Sequence, residues 1–434
     1  MPFLPAHRVA SFGTSVFTEI TQLAVQHQAI DLSSGFPDTD GPAEAKAAVW
    51  EAMMAGKNQY ALSHGVRELR QAVAEHTRRF YGQAVDPESE VTVTNGAAEA
   101  LHSIADGLIN PGDEVILLEP YYEVYAPNVI MAGGVPRFVP LLPSYPERTL
   151  SGVQTKPKWK SKGTHAKRST TASLRYASAQ DAGAQEAESA WTFDPDELAA
   201  AFNNRTRAIL VNTPHNPTGK VFSRAELETI AALCQKWNVI AVTDEVYEHL
   251  VYDGQKHERL AQLPGMAGRT ITVSSMSKTF SFTGWRVGWV IAPPDLTNAV
   301  RLAHQFVLDC SATPMQFGAA RALALDDSYY QMLAAAYQRK RDFLGNVLRE
   351  TGLEILTPNG GFFIMAGIEP LGFDDDVEFC KHLAANVGVA AIPPSAFYSE
   401  QNKALGRRYV RFAFCKTMEL LERAAEALQR LRPR

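Results

Sequence analysis

The order of apolar and polar positions divides the chain into two kinds of stretch. Between about residues 90 and 291, short continuous apolar runs at 115–118, 208–211, 239–243, 271–273 and 287–291 alternate with amphipathic segments. Runs of this length, separated by helical patterns, predict buried strands of a mainly parallel sheet. The segments between them carry helix starts. Ser223-Arg224-Ala225-Glu226 reads as a capping box, with Leu227, Ile230, Ala231 and Cys234 following on one face. Asp194-Pro195 sets a capping residue before a proline at the first helical position. After Asn95-Gly96, residues Leu101, Ile104, Ala105 and Leu108 make a third stripe. The prediction is an α/β fold with a large, doubly wound, mainly parallel-sheet domain.

From about Leu296 the pattern turns helical. It then shows two strand-like segments, 361–365 and 408–414, and a closing helix with Leu421, Ala424, Ala425, Leu428 and Leu431 on one face. This reads as a smaller α+β domain. The expected organisation is an N-terminal arm (1–43) joining the small domain, a large domain (44–300) and a small C-terminal domain (301–434). Residues 147–190 fit neither, with eight Lys and Arg against four Asp and Glu and few large apolar side chains. A solvated polar insertion is expected there.

Composition mainly excludes. With 46% hydrophobic and 21% charged residues in 434, the chain is an ordinary globular protein with a sizeable core. A net charge of −5 gives no electrostatic reason for a nucleic acid or acidic-membrane partner. No apolar stretch is long enough to span a bilayer, and the N-terminus lacks a continuous apolar signal region. The cysteines at 234, 310, 380 and 415 form no CxxC pair, so neither a disulfide framework nor a zinc site is expected, and a reducing, cytoplasmic setting is. No two glycines are separated by a single residue, and neither Gly56-Lys57 nor Gly219-Lys220 has a glycine five positions earlier. The dinucleotide fingerprint and the P-loop are both absent.

What remains is a lysine in an unusual setting. Lys278 follows the predicted strand ITV and is surrounded by Ser274, Ser275, Ser277, Thr279, Ser281 and Thr283, with Arg286 eight residues on. The C-terminal end of a strand is where α/β sheets bind ligands, and a hydrogen-bonded, partly buried amine is what a carbonyl compound requires. Asn216, in NTPHNPTG, follows the strand AILV, and Asp244, in TDEVY, ends the strand VIAV. Each signal alone describes a surface lysine, a turn and a helix cap. Together, in order, at consecutive strand ends, they describe a site.

These phrases, with SSGFPDTDGP, NQYALSHGVRELR, TNGAAEAL, LLEPYYEVYAP, SMSKTFSFTGWRVGW and YVRFAF, resemble the class I/II aminotransferases of pyridoxal-phosphate (PLP) fold type I. The likeness runs from about Asp31 to Arg411 and is nearest the kynurenine/glutamine/methionine branch. It implies that Lys278 carries PLP covalently and shuttles the proton, and that Asp244 pairs with the pyridine nitrogen. Asn216 and Tyr247 would bond the ring's phenolic oxygen, and Tyr122 would stack on the ring. Phosphate would be held by the N–H groups of Gly96, Ala97 and Ala98 with Ser275 and Arg286, and Tyr60 would reach a neighbouring subunit's phosphate in a homodimer. Arg411 would grip the substrate carboxylate, with Asn216, Gly35 and Phe17 bordering the substrate. Two departures bear on specificity. The third phosphate-loop position is Ala98 where kynurenine-type enzymes often have an aromatic. The stretch HQFVLDC, 304–310, lacks the arginine of aspartate-specific members. The expected reaction is amino exchange between an L-amino acid (aromatic, methionine, glutamine or kynurenine-like) and a 2-oxo acid. A PLP-dependent β-lyase or cyclopropane-forming synthase on the same fold shares most of these residues, and a ligand-sensing regulator with an aminotransferase-like domain is the alternative of another class.

Overall fold

The computed structural model describes residues 4–10, 12–143 and 190–431. Apart from Ala190, the polar insertion expected at 147–190 lies outside the described residues. The main sheet takes its eight strands in chain order from β1 Val91–Thr94, β2 Glu114–Glu119, β3 Val135–Pro143 and β4 Trp191–Phe193, then β5 Thr206–Asn212, β6 Ile240–Asp244, β7 Thr270–Ser275 and β8 Gly288–Ile291. Across the sheet their order is β1-β8-β7-β6-β5-β2-β3-β4. The neighbours β7, β6, β5, β2 and β3 run parallel.

The apolar runs are continuous because both sheet faces are covered. In β2, Ile116 and Leu118 enter one core while Val115 and Leu117 enter the other; in β5, Ile209 and Val211 oppose Ala208 and Leu210. One core receives Leu227, Ile230 and Cys234 of helix Arg224–Trp237, whose capping box forms as expected. The other receives Leu101, Ile104 and Leu108 of helix Gly96–Leu108. Each fully buried Leu or Ile contributes about 1.5–3 kcal/mol, so a polar substitution in these runs opposes the fold on whichever face it falls.

The sheet is mixed at its edges. β8 runs antiparallel to both β7 and β1, and β4 antiparallel to β3. The apolar run of β8 resembles its parallel neighbours because it is equally buried, and only the connection sets its direction. A parallel return needs a crossover of roughly a dozen residues or more, usually built on a helix. The 276–287 connection instead spends its length on the Lys278 turn.

A second, antiparallel sheet consists of β9 Glu354–Leu356, β10 Phe363–Gly367 and β11 Tyr409–Ala413. Its core includes Phe362, Ile364, Phe412, Leu421, Ala424 and Leu428, together with Ile20, Ala24 and Leu32 from near the N-terminus. Ile20 and Ala24 lie on helix Val16–His27, which Ser15 caps and Gln28 ends in the left-handed conformation (φ 51°). Helix Thr313–Leu323 packs on helix Ala43–Met54, with Ala319 and Ala322 in one core with Ala45. Among the described residues no helix is long and apolar enough to cross a membrane.

Candidate active site

The three parallel strands β5, β6 and β7 end side by side, and each delivers a polar group to the same edge. Beyond β5 the chain is tied to the end of β6. Asn212 Nδ2 donates to the Asp244 carbonyl (2.8 Å), and Asn212 Oδ1 accepts the Asn216 N–H (2.6 Å). Asp244 is buried, with Oδ2 accepting the Tyr125 hydroxyl (2.6 Å) and Oδ1 the Val246 N–H (3.4 Å). Burial raises the Asp244 carboxyl above the usual range, and the Tyr125 bond and the Lys278 charge oppose that shift. β7 ends at Ser275, whose hydroxyl accepts the Ser277 N–H and starts the single turn Met276–Thr279 that carries Lys278. The Lys278 ammonium donates to the Gly35 carbonyl (2.8 Å). Burial brings this amine down to about 8, so a usable fraction is free base near neutral pH, as an amine nucleophile requires.

Arg411 enters from β11 and is fully buried. Its Nη1 donates to Asn216 Oδ1 (3.0 Å) and its Nη2 to the Ser33 carbonyl (2.7 Å). The guanidinium lies 4.1 Å from the Phe363 ring centroid, 5.1 Å from Phe397 and 5.2 Å from Phe17. Its Nε has no hydrogen-bond partner among the described residues. Burial lowers the group to about 10, which leaves it charged at neutral pH. A buried cation with a donor to spare is arranged for an anion not supplied by its neighbours.

A second anion cradle lies where helix Gly96–Leu108 begins. Gly96 has φ +77°, and a Cβ there would run into the Arg286 guanidinium, so glycine is needed for both conformation and space. Arg286 itself adopts φ 53° and donates from Nη1 to the Thr283 carbonyl (2.9 Å). A helix N-terminus with open N–H groups beside a guanidinium favours phosphate.

One cavity of about 330 Å³ joins these parts. Of the residues expected from sequence, Phe17, Gly35, Ala97, Ala98, Tyr122 and Asn216 line it, as do Asp244, Tyr247, Ser275, Lys278, Arg286 and Arg411. Gly96 sits behind it against Arg286. Tyr60 does not reach it and is 81% exposed. Sequence reasoning passed over Tyr125, Asn212 and Phe363, which also line the cavity. Tyr125 stands three residues after Tyr122 and Asn212 heads the NTPHNP phrase, so both had a positional signal. Phe363 had only that of an apolar strand residue.

Elsewhere, His76, Glu248 and His249 bring ligand-type atoms within 4.8 Å of one another. Glu248 already accepts from Ser274 (2.8 Å), Tyr81 (2.7 Å) and Arg259 (2.6 Å), and the two imidazoles share a 2.8 Å N···N hydrogen bond. A cation there would have to displace the Arg259 charge.

A buried amine, a buried acid, a helix N-terminus beside Arg286 and a buried guanidinium with one spare donor together suit an amino acid and a phosphorylated carbonyl cofactor. Comparison with known proteins agrees. Residues 27–152 and 153–428 match the aminotransferase class I and II family. The structure of N-succinyldiaminopimelate aminotransferase from Mycobacterium tuberculosis superposes with a TM-score of 0.85 at 38% identity, covering 98% of this chain and 100% of that one. Kynurenine–oxoglutarate transaminase of Dictyostelium discoideum is 36% identical, over 99% of this chain and 97% of the relative. Methionine aminotransferase of Escherichia coli is 34% identical over 99% of each. The chain belongs to the class I and II aminotransferases. It is a PLP-dependent transaminase of fold type I, and its substrates are amino acids and 2-oxo acids.

Proposed function

We propose that the enzyme exchanges the amino group of an L-amino acid with an aromatic, methionine, glutamine or kynurenine-like side chain for the oxo group of a 2-oxo acid. The observation that carries this reading is the meeting of Lys278, Asp244, Arg286 and Arg411 in one cavity whose other described lining residues are neutral, among them Phe17, Phe36, Tyr122 and Phe363. The cations lining it are Lys278, Arg286 and Arg411, and each has a task at the cofactor or the α-carboxylate. Among the described residues none is left over for a side-chain carboxylate.

PLP, when bound, supplies the electron sink that makes the α-carbon acidic. The chain's residues do the rest. Lys278 would hold the cofactor through its amine and, once the substrate's amino group displaces it, the freed amine would carry the proton between the α-carbon and C4′. Asp244 keeps a proton on the ring nitrogen, and its burial strengthens that pairing. Asn216 and Tyr247 would bond the phenolic oxygen, and Tyr122 would pack on the ring. Gly96, Ala97, Ala98, Ser275 and Arg286 bind the phosphate. Arg411 orients the α-carboxylate, while Phe17 and Gly35 bound the substrate and exclude water.

We further read the enzyme as a homodimer in which Tyr60 completes the partner's phosphate site. Support comes from an exposed apolar surface of Trp50, Met54, Tyr60, Leu62, Leu302 and Phe306. The segment of Tyr60 and Leu62 is tied to the helix of Leu302 and Phe306, Pro294–Val307, by a bond between His304 Nε2 and the Ser63 carbonyl (2.8 Å). Free thiols at all four cysteines support a reducing, cytoplasmic location. The test of function is a panel of amino acids scored by the absorbance change that accompanies amination of the cofactor. Phenylalanine, methionine, glutamine and kynurenine are expected to react well and aspartate poorly; a preference for aspartate overturns the substrate reading.

A further inference from the structure

Between the cavity and β11 runs a short strap of chain, residues 32–36, held at every carbonyl. Leu32 accepts from the Ala413 N–H (2.7 Å), Ser33 from Arg411 Nη2 (2.7 Å) and Ser34 from the Cys415 thiol (3.8 Å). Gly35 accepts from the Lys278 amine (2.8 Å) and Phe36 from the Lys416 amine (3.2 Å). From below, Asp31 Oδ1 accepts the N–H groups of Ser33 (2.8 Å) and Ser34 (3.1 Å), and its carboxylate also takes both serine hydroxyls. Gly35 has no room for a side chain, since a Cβ would stand 2.8 Å from the Phe363 ring.

These holds are not equivalent once the enzyme is working. The Lys278 amine is committed to the cofactor, and Arg411 shares its guanidinium with the substrate carboxylate. The Ala413 and Cys415 holds are uncharged, and a thiol is a weak donor. Lys416 is the remaining charged hold on the strap's carbonyls, while the Asp31 carboxylate takes only N–H and hydroxyl groups of the two serines. Lys416 is 3% exposed, and its ammonium donates to the Ser34 hydroxyl (3.1 Å) as well as to the Phe36 carbonyl and lies 4.2 Å from the Phe36 ring centroid. A buried ammonium spends its donors on nearby acceptors because desolvation without them is costly. Here those acceptors belong to the strap. Phe36, whose ring the ammonium faces, is 49% exposed and lines the cavity.

We propose that Lys416 is a positioning residue for substrate: it holds residues 34–36 against the cavity so that the Gly35 main chain and the Phe36 ring bound the amino acid's side chain. The proposal rests on the roles given above to Lys278 and Arg411. Lys416 touches neither reacting atom, so its loss acts on binding more than on chemistry.

The test compares K416M and K416R with the wild-type holoenzyme, using phenylalanine as donor. K416M is expected to carry cofactor on Lys278 with an unchanged absorbance spectrum and a kcat within about threefold of wild type, while KM rises about tenfold or more, as when a charge-assisted hold is lost. K416R should recover most of that loss. Amide exchange in K416M, measured on the holoenzyme without substrate, should quicken at 32–36 and stay unchanged elsewhere in the second sheet. An unchanged KM in K416M overturns the proposal. So does a joint loss of kcat and KM with exchange quickened throughout residues 354–428, which would make Lys416 a general structural support. Should K416M fail to fold, S34A removes the hydroxyl that accepts from Lys416 and donates to Asp31, and is expected to raise KM by a smaller factor; no rise overturns the proposal. Failure of the underlying reading looks different, as cofactor attached to another lysine in the wild type.

Discussion

Replacing Arg411 by lysine keeps the charge and removes the shape. The guanidinium serves Asn216 Oδ1 and the Ser33 carbonyl from its two Nη atoms, with Nε in reserve, and lies 4.1 Å from the Phe363 ring centroid. An ammonium on a shorter reach cannot meet both protein acceptors and also grip a carboxylate with two parallel bonds. Losing one charge-assisted hydrogen bond costs about 1.5–3 kcal/mol, and losing a desolvated cation–π contact costs on the order of 1 kcal/mol more. The sum, about 3 kcal/mol, is a fall of roughly 150-fold in kcat/KM. Single-turnover amination of the holoenzyme measures it donor by donor. Arg411→Lys is expected to keep its cofactor and absorbance spectrum while every amino acid and every 2-oxo acid loses by a similar factor, because all present the same carboxylate. A loss confined to one substrate would make Arg411 a reader of side chains, and no loss would remove it from the site.

Two further perturbations have definite signs. Asp244→Ala is expected to fold but to retain PLP weakly and to lose transamination by ~100-fold or more, as when a preorganised charge partner is removed; near wild-type turnover would reduce Asp244 to an acceptor for Tyr125. His215 is buried, and burial lowers it from 6.5 to about 3. In the unfolded chain this ring binds a proton below about pH 6.5 and in the fold it does not, so its contribution to stability falls as pH drops from 6.5 towards 3, by up to about 1.4 kcal/mol per pH unit. H215N, compared with wild type by denaturant melts between about pH 6.5 and pH 5, should therefore show the shallower loss; equal slopes would mean that His215 protonates freely in the fold.

Much of this was legible in the chain because the site sits at strand ends. β5, β6 and β7 are buried on both faces and so read as unbroken apolar runs, and the polar residues at which they stop, Asn212, Asp244 and Ser275, are the site's own. The capping box at Ser223 and the stripe after Gly96 were equally direct, since local hydrogen bonds and helical spacing are written in neighbouring residues. Less legible were features set by distant contacts. β3 was missed because prolines at 136, 140 and 143 interrupt its apolar pattern, and the direction of β8 depends on its connection rather than on its residues. The Tyr125 bond to Asp244 and the strap at 32–36 join positions far apart in sequence, which no periodicity records. Tyr60 is the opposite case, a residue the family resemblance singles out and a single chain leaves 81% exposed.

The proposed function requires one buried lysine to carry the cofactor, with the other groups arranged around it. Borohydride reduction of the holoenzyme, followed by peptide mapping, tests this most directly by fixing the attachment point chemically. A single pyridoxyl label is expected, on Lys278, in the peptide that contains SSMSKTF. A label on Lys220, Lys416 or any other lysine would contradict it, and with it the roles given to Asp244, Asn216 and Arg411.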